Sequence, residues 1–280
     1  MRDIAIIGAG ELGGATAHIL ARRDAAAAIR LVDEQGRIAE GKALDIMQAA
    51  PVERFTTNLS GSADLMTVGG ADLVVLADRA GGTEWHGEEG LAMLKRLGDI
   101  APAAVIVCAG WSQRELIERA VGELHVHRRR ILGSAPEAIA SRARALIALA
   151  LNASPRDVTL SVLGNPPAQT IIPWGDAAIG GYPLTRLMDE PTRREVAARI
   201  AAIGPPGPQA LAAAAAKAVD ALVGRSRWMM SCFVASDAEA GHRARTTALP
   251  VRLDSRGVGA IVLPELSRAD RVALDNAMML

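Results

Sequence analysis

The chain has 280 residues, half of them hydrophobic and only 2% aromatic, so its core is aliphatic and can fill one large or two smaller domains. Lys+Arg and Asp+Glu both number 31, and a formal charge of zero excludes the basic footprint of a nucleic-acid-binding protein. Cys108 and Cys232 both sit in apolar, strand-like runs and read as small core residues, not as a disulfide or a metal pair.

Short β-branched runs at 3–8, 28–33, 72–77, 104–109 and 130–133 are predicted strands, continuous enough to be buried on both faces of a parallel sheet. Amphipathic stretches alternate with them. Leu12, Ala15, Ile19 and Leu20 form one stripe, and Leu91, Leu94, Leu97 and Ile100 form part of another. Ser112 and Glu115 have the spacing of a capping box that opens a helix over 113–124. This rhythm predicts a doubly wound α/β domain over residues 1–145. After residue 150 the texture changes. A strand is expected over 158–163, a hairpin from 169–174 and 176–179 with its turn at Gly175, and helices over 190–203 and 209–223. Strands near 227–234, 245–252 and 257–263 and a terminal helix capped by Ser267 and Asp270 complete an α+β domain over 146–280. Gly204-Pro205-Pro206-Gly207-Pro208 cannot be helical and must separate the two helices. Met1-Arg2-Asp3 leads straight into a strand and no apolar run spans a bilayer, so no membrane association and a cytoplasmic location are expected.

The first strand runs into Gly8, Gly10 and Gly13 in the pattern G-x-G-x-x-G, and Asp33 closes the next strand. Gly8 permits the tight turn, Gly10 lets backbone approach a pyrophosphate, and Gly13 lets helix and strand pack closely. The helix starting near Glu11 and Leu12 turns free N–H groups and a positive dipole end toward phosphate. Asp33 can accept from ribose hydroxyls and would repel a 2′-phosphate, which favours NAD over NADP.

With Glu40-Gly41-Lys42-Ala43-Leu44-Asp45-Ile46 added, residues 1–75 resemble the lactate/malate dehydrogenase family, closest to its malate dehydrogenase branch. The resemblance implies a Rossmann domain, a second domain like that family's substrate domain but shortened near 204–208, and a homodimer or homotetramer. The alanine-rich stretches 43–50 and 135–151 are the candidate subunit faces. After the 72–77 strand the family places a small turn, Thr-Ala-Gly, beneath the cofactor. This chain has Ala77-Asp78-Arg79, in which Asp78 would oppose a pyrophosphate and Arg79 could pair with it.

The same resemblance locates the catalytic groups, and most of them are replaced. The base, a histidine in Leu-Gly-Gly-His-Gly-Asp, falls on Pro166 or Pro167 of Leu163-Gly164-Asn165-Pro166-Pro167. The aspartate that orients it falls on Ile139, and only Arg142 of its Asp-x-x-Arg motif survives; Glu137 lies on another helix face. The two loop arginines fall near Gly82 and Glu88, and the Asn of a Thr-Asn-Pro turn becomes Gly110. His86, on the loop 81–90, is the candidate replacement base, and Trp85 and Trp111 map to the pocket mouth. His18 reads as structural; His125, His127 and His242 read as solvated, and no cluster has metal-ligand spacing.

Three readings follow. The chain is an NAD-binding homologue without activity on malate or lactate, an active oxidoreductase on a less anionic substrate, or a structural protein that has lost NAD. The small-molecule ligand beside the cofactor is unidentified in all three.

Overall fold

A computed structural model describes residues 3–236 and 245–279, so the expectation for His242 lies outside the described residues. Strand β1 (Asp3–Ile7) leads through the glycine turn into helix α1 (Glu11–Arg22), then β2 (Ala28–Val32), α2 (Gly36–Glu53) and β3 (Asn58–Ser62). The chain continues through β4 (Leu73–Leu76), α3 (Gly87–Ile100), β5 (Val105–Cys108), α4 (Arg114–Gly122), β6 (Ile131–Gly133) and α5 (Ala135–Ala150). These six strands run parallel in the order β3-β2-β1-β4-β5-β6. Strand order reverses between β1 and β4, and an open α/β sheet offers its crevice at the carboxyl ends of such a pair.

The sheet does not stop at β6. Short strands β7 (Val158–Thr159), β8 (Leu163–Asn165), β9 (Gln169–Ile171), β10 (Ala178–Ile179) and β11 (Tyr182–Pro183) precede α6 (Leu184–Leu187), α7 (Glu190–Ala202) and α8 (Pro208–Leu222). The chain ends with β12 (Met230–Ala235), β13 (Thr246–Asp254), β14 (Gly257–Ile261) and α9 (Arg268–Met279). Strand β12 adds antiparallel to β6, and β13, β8 and β9 follow, so one sheet crosses from the parallel half into the second half. A small separate sheet, β11-β10-β7, covers a second apolar cluster built on Ile139, Ala143, Ile147, Val162 and Val196.

Three sequence expectations are corrected. The stretch 158–163 is not one strand: Val158–Thr159 pairs with β10, and Leu163–Asn165 pairs with β13 and β9. Residues 169–174 and 176–179 do not form a hairpin; they belong to different sheets, and the hairpin partner of β9 is β8 across Pro166-Pro167. Ser112 does not cap α4. Its hydroxyl donates to Glu84 at 2.7 Å, and Gln113 is the residue that precedes the helix. The Ser267–Asp270 cap does form, with Asp270 N–H donating to Ser267 Oγ at 3.1 Å.

Cys108 and Cys232 are buried, free and in the sheet. Burial pushes the Cys108 thiol up to about 12 and raises that of Cys232 as well. Since the thiolate is the reactive form, neither should react with a thiol reagent at pH 8 in the folded protein. Both should react in denaturant. Mass spectrometry after labelling checks this, and modification of the native protein would contradict the placement.

Candidate functional site

At the carboxyl ends of β1 and β4 lies an open cleft of about 490 Å³. Its walls are the glycine turn, the first turn of α1, the segment 78–84 after β4, and Pro206, Pro208 and Leu211 from the start of α8 and the break before it. The turn forms as its glycines require. Gly8 has φ +109°, and a Cβ there would meet the Asp78 carbonyl oxygen at 2.2 Å; a Cβ on Gly13 would stand 2.0 Å from the Gly8 carbonyl oxygen. Ala77, in the core beside Gly13, donates its N–H to the Ile7 carbonyl at 2.9 Å and continues the β4 ladder.

Asp33 stands at the end of β2, only 5% exposed. Its carboxylate accepts from the N–H groups of Ala9 at 2.8 Å, Ala80 at 2.8 Å and Gln35 at 2.9 Å. Those bonds tie the glycine turn, the β2 end and the β4 loop together, and they use three of about four acceptor positions on a carboxylate.

The sequence leaves open which of Asp78 and Arg79 faces the glycine turn; in the structure it is Asp78. Its Oδ1 accepts from Gly13 N–H at 2.9 Å and its Oδ2 from Leu12 N–H at 3.2 Å. A Cβ on Gly10 would lie 2.3–2.4 Å from the carboxyl atoms of Asp78, so this side chain fills the gap that the missing Gly10 side chain leaves. Arg79 points into its own loop. It donates to Thr83 Oγ1 at 3.1 Å, pairs with Glu89 at 2.9 Å and lies 4.8 Å from the Trp85 ring centroid. Lys42, to which the sequence assigned no task, reaches the turn from α2 and donates Nζ–H to the Gly10 carbonyl at 2.6 Å.

The loop 79–86 is fastened at two points. Asp78 and Glu84 form a β-bridge, and the Glu84 carboxylate crosses to the segment after β5. There it accepts from Trp111 N–H and Ser112 N–H, both at 2.8 Å, and from the Ser112 hydroxyl. A Cβ on Gly110 would lie 2.5 Å from Glu84 Oε2, so the carboxylate occupies the space beside that bare Cα. The sequence singled out Glu84 for nothing; a glycine opposite an acidic loop was the available signal.

The remaining candidates do not converge. His86 is exposed, precedes α3, and has Nδ1 2.8 Å from the Glu84 carbonyl oxygen. Arg142 donates to the carbonyls of Ile203 at 3.1 Å and Gly204 at 2.8 Å, stopping α7, and partial burial lowers its pKa. Ile139 is packed in the second apolar cluster. Pro166 is buried and Pro167 exposed in the β8–β9 turn, which Asn165 and Gln169 fasten to α9 through the carbonyls of Ala277 and Ala273. Glu137 is buried away from the cleft with Arg144, Lys217 and Ser231 N–H. Trp85 is buried and Trp111 bridges both apolar clusters. His18 meets Glu53 at 2.9 Å, and His125 and His127 are exposed. Among the described residues no His/Cys/Asp/Glu group could hold a metal ion, and no helix is long and apolar enough to cross a membrane.

In type and placement, the glycine turn, the α1 N-terminus and Asp33 fit a dinucleotide, while the Asp78 carboxylate already takes the N–H groups of Leu12 and Gly13 at the α1 N-terminus. Comparison with known proteins points the same way as the fold. The profile described as lactate/malate dehydrogenase, NAD binding domain, matches residues 2–117. Malate dehydrogenase from Thioalkalivibrio sulfidiphilus is 29% identical, over 99% of this chain and 96% of that protein. Malate dehydrogenase from Thermomicrobium roseum is 28% identical, over 99% of this chain and 94% of that protein. The solved structure of malate dehydrogenase from Salinibacter ruber superposes with a TM-score of 0.87 at 23% identity, covering 98% of this chain and 93% of that one.

Proposed function

We propose, on the premise that this chain belongs to the lactate/malate dehydrogenase family, that it is an NAD-binding member whose hydride chemistry on malate and lactate has been lost. The observation that carries this reading is the content of the catalytic positions. Pro166 and Pro167 can hold no proton, Ile139 can orient no base, and the place beside Gly110 belongs to the Glu84 carboxylate.

Bound NAD would supply a hydride acceptor. The chain's part is to hold it, with the pyrophosphate against the N–H groups at Leu12 and Gly13 and the ribose against the remaining acceptor position of Asp33. Among the described residues of the cleft, no group beyond that holding is provided for the chemistry. A 2-hydroxy acid needs a base for its hydroxyl proton and cations for its carboxylate. The cleft's charged lining is Glu11, Lys42, Asp78 and Glu84, and the ammonium of Lys42 is bonded to a backbone carbonyl. His86, the alternative base, is turned toward the backbone of its own loop.

Titration with NADH, followed by calorimetry and by quenching of tryptophan emission, tests the cofactor half of this reading. Saturable binding of one NADH per chain is expected, with no reduction of NAD on addition of malate or lactate. Absence of binding in both the wild-type protein and its Asp78→Ala variant would overturn it in favour of a purely structural role.

A further inference from the structure

We propose that Asp78 is a built-in competitor for the dinucleotide's pyrophosphate: its carboxylate closes the phosphate cradle, and NAD(H) enters only when that side chain turns out. The inference rests on the cofactor reading above and adds what sets the affinity.

Three observations carry it. First, Asp78 binds the donors that a phosphate would use. The first N–H groups of a helix lack intrahelical partners and carry the positive end of its dipole, which is why phosphates settle there. In this protein two of them, at Leu12 and Gly13, already donate to the two oxygens of one carboxylate, from a residue more than 60 positions away in sequence. Second, the carboxylate fills the particular space a pyrophosphate needs. The middle glycine of the turn is bare so that a ligand can approach the backbone. The Asp78 carboxyl atoms lie 2.3–2.4 Å from where a Gly10 Cβ would be, closer than any second group could pack. Third, no side-chain cation pairs with Asp78 among the described residues. Its side-chain hydrogen bonds are to backbone N–H, Glu11 and Glu84 line the same cleft, the Lys42 ammonium there is bonded to the Gly10 carbonyl, and Arg79, the adjacent cation, is paired with Glu89 on α3. A pyrophosphate arriving with Asp78 in place would lose both donors and meet a like charge.

The backbone of Asp78 stays where it is in either state. Its carbonyl accepts from Gly10 N–H at 2.9 Å, and it is bridged to Glu84. Opening is therefore a side-chain rotation, and only ligands that carry phosphate need it.

Calorimetry on the full-length protein tests this with two probes, NADH and adenosine, on wild type, Asp78→Ala and Asp78→Asn. Asp78→Ala is expected to bind NADH at least tenfold more tightly than wild type, with adenosine affinity changed less than twofold. Asp78→Asn keeps the side chain's shape and removes its charge. It guards against misfolding of the alanine variant and is expected to tighten NADH binding by a smaller factor. Equal NADH affinity in wild type and a folded Asp78 variant would overturn the proposal while leaving the cofactor reading standing. NADH binding by none of the three proteins would overturn both. A parallel gain for adenosine would assign the effect to general loosening of the cleft and would also overturn it.

Discussion

Replacing Glu137 with alanine is expected to lower stability by about 3 kcal/mol or more, one of the largest single-residue effects the structure implies, because it leaves buried partners without their acceptor. Glu137 sits on the first turn of α5 and is 3% exposed. Its Oε1 receives Arg144 at 2.9 Å and Lys217 from α8 at 2.5 Å, and its Oε2 receives the N–H of the buried Ser231 on β12 at 3.0 Å. One carboxylate thus joins α5, α8 and the first antiparallel strand of the sheet. Its two cations are partly exposed, at 20% and 34%, so they can recover some hydration when it is gone. The Ser231 N–H cannot, which keeps the loss near the lower end of the range for a broken buried pair. In a chain of this size such a loss corresponds to a fall in Tm of about 6–12 °C. Glu137→Gln retains an acceptor for Ser231 and should fall in between. Thermal denaturation by circular dichroism checks the series, and an alanine variant within a degree of wild type would show that the cluster is not structural.

The second large effect concerns turnover. With NAD present, the rate on malate or lactate is expected to lie at least about 10⁴-fold below that of a malate dehydrogenase with its catalytic groups intact. A positioned base alone is worth about 10²–10⁴-fold, and orientation of substrate contributes separately. On the reading proposed above, the proton-accepting position is a proline turn under α9, the orienting position is Ile139 in an apolar cluster, and the one retained arginine, Arg142, is bonded to the carbonyls that end α7. The Glu84 carboxylate, clamped to Trp111 and Ser112 N–H, adds a negative charge to the lining of the cleft. Groups that act as a unit do not return one at a time. Pro167→His alone is therefore expected to show no turnover above background in the same spectrophotometric assay, and measurable activity from that single change would mean the rest of the site is still organised.

Much of the parallel half was legible in the sequence because each of its signals is local. The runs at 3–8, 28–33, 72–77, 104–109 and 130–133 are β-branched and continuous, and they became β1, β2, β4, β5 and β6 with ends shifted by a residue or so. Strand β3 was missed. Asn58-Leu59-Ser60-Gly61-Ser62 has no such run, and it is a strand because β2 pairs with it and because the bare Gly61 lets α2 pack onto it. The antiparallel half failed where the turns were misplaced. Gly175 looks like a hairpin turn, yet the local hairpins are β8–β9 across Pro166-Pro167 and β10–β11 across Gly180-Gly181, and β10 also pairs with the more distant β7.

The candidate site divides along the same line. The glycine turn and Asp33 were legible because residue type and spacing define them. Which way Asp78 and Arg79 point depends on how the loop after β4 folds, and that is decided by Glu84 reaching a glycine and two N–H groups beyond β5. The signals were an acid in place of a small residue after β4 and a bare Gly110 opposite an acidic loop.

Survival of the nucleotide fold without its hydride chemistry is tested most directly by a single-turnover experiment. Protein at high concentration is mixed with malate and with NAD at a level that calorimetry shows to fill the site, and nicotinamide absorbance is followed. No reduced cofactor above the protein-free blank is the expected result. Formation of one NADH per chain, however slowly, would show that a base and a substrate site remain, and would contradict the account.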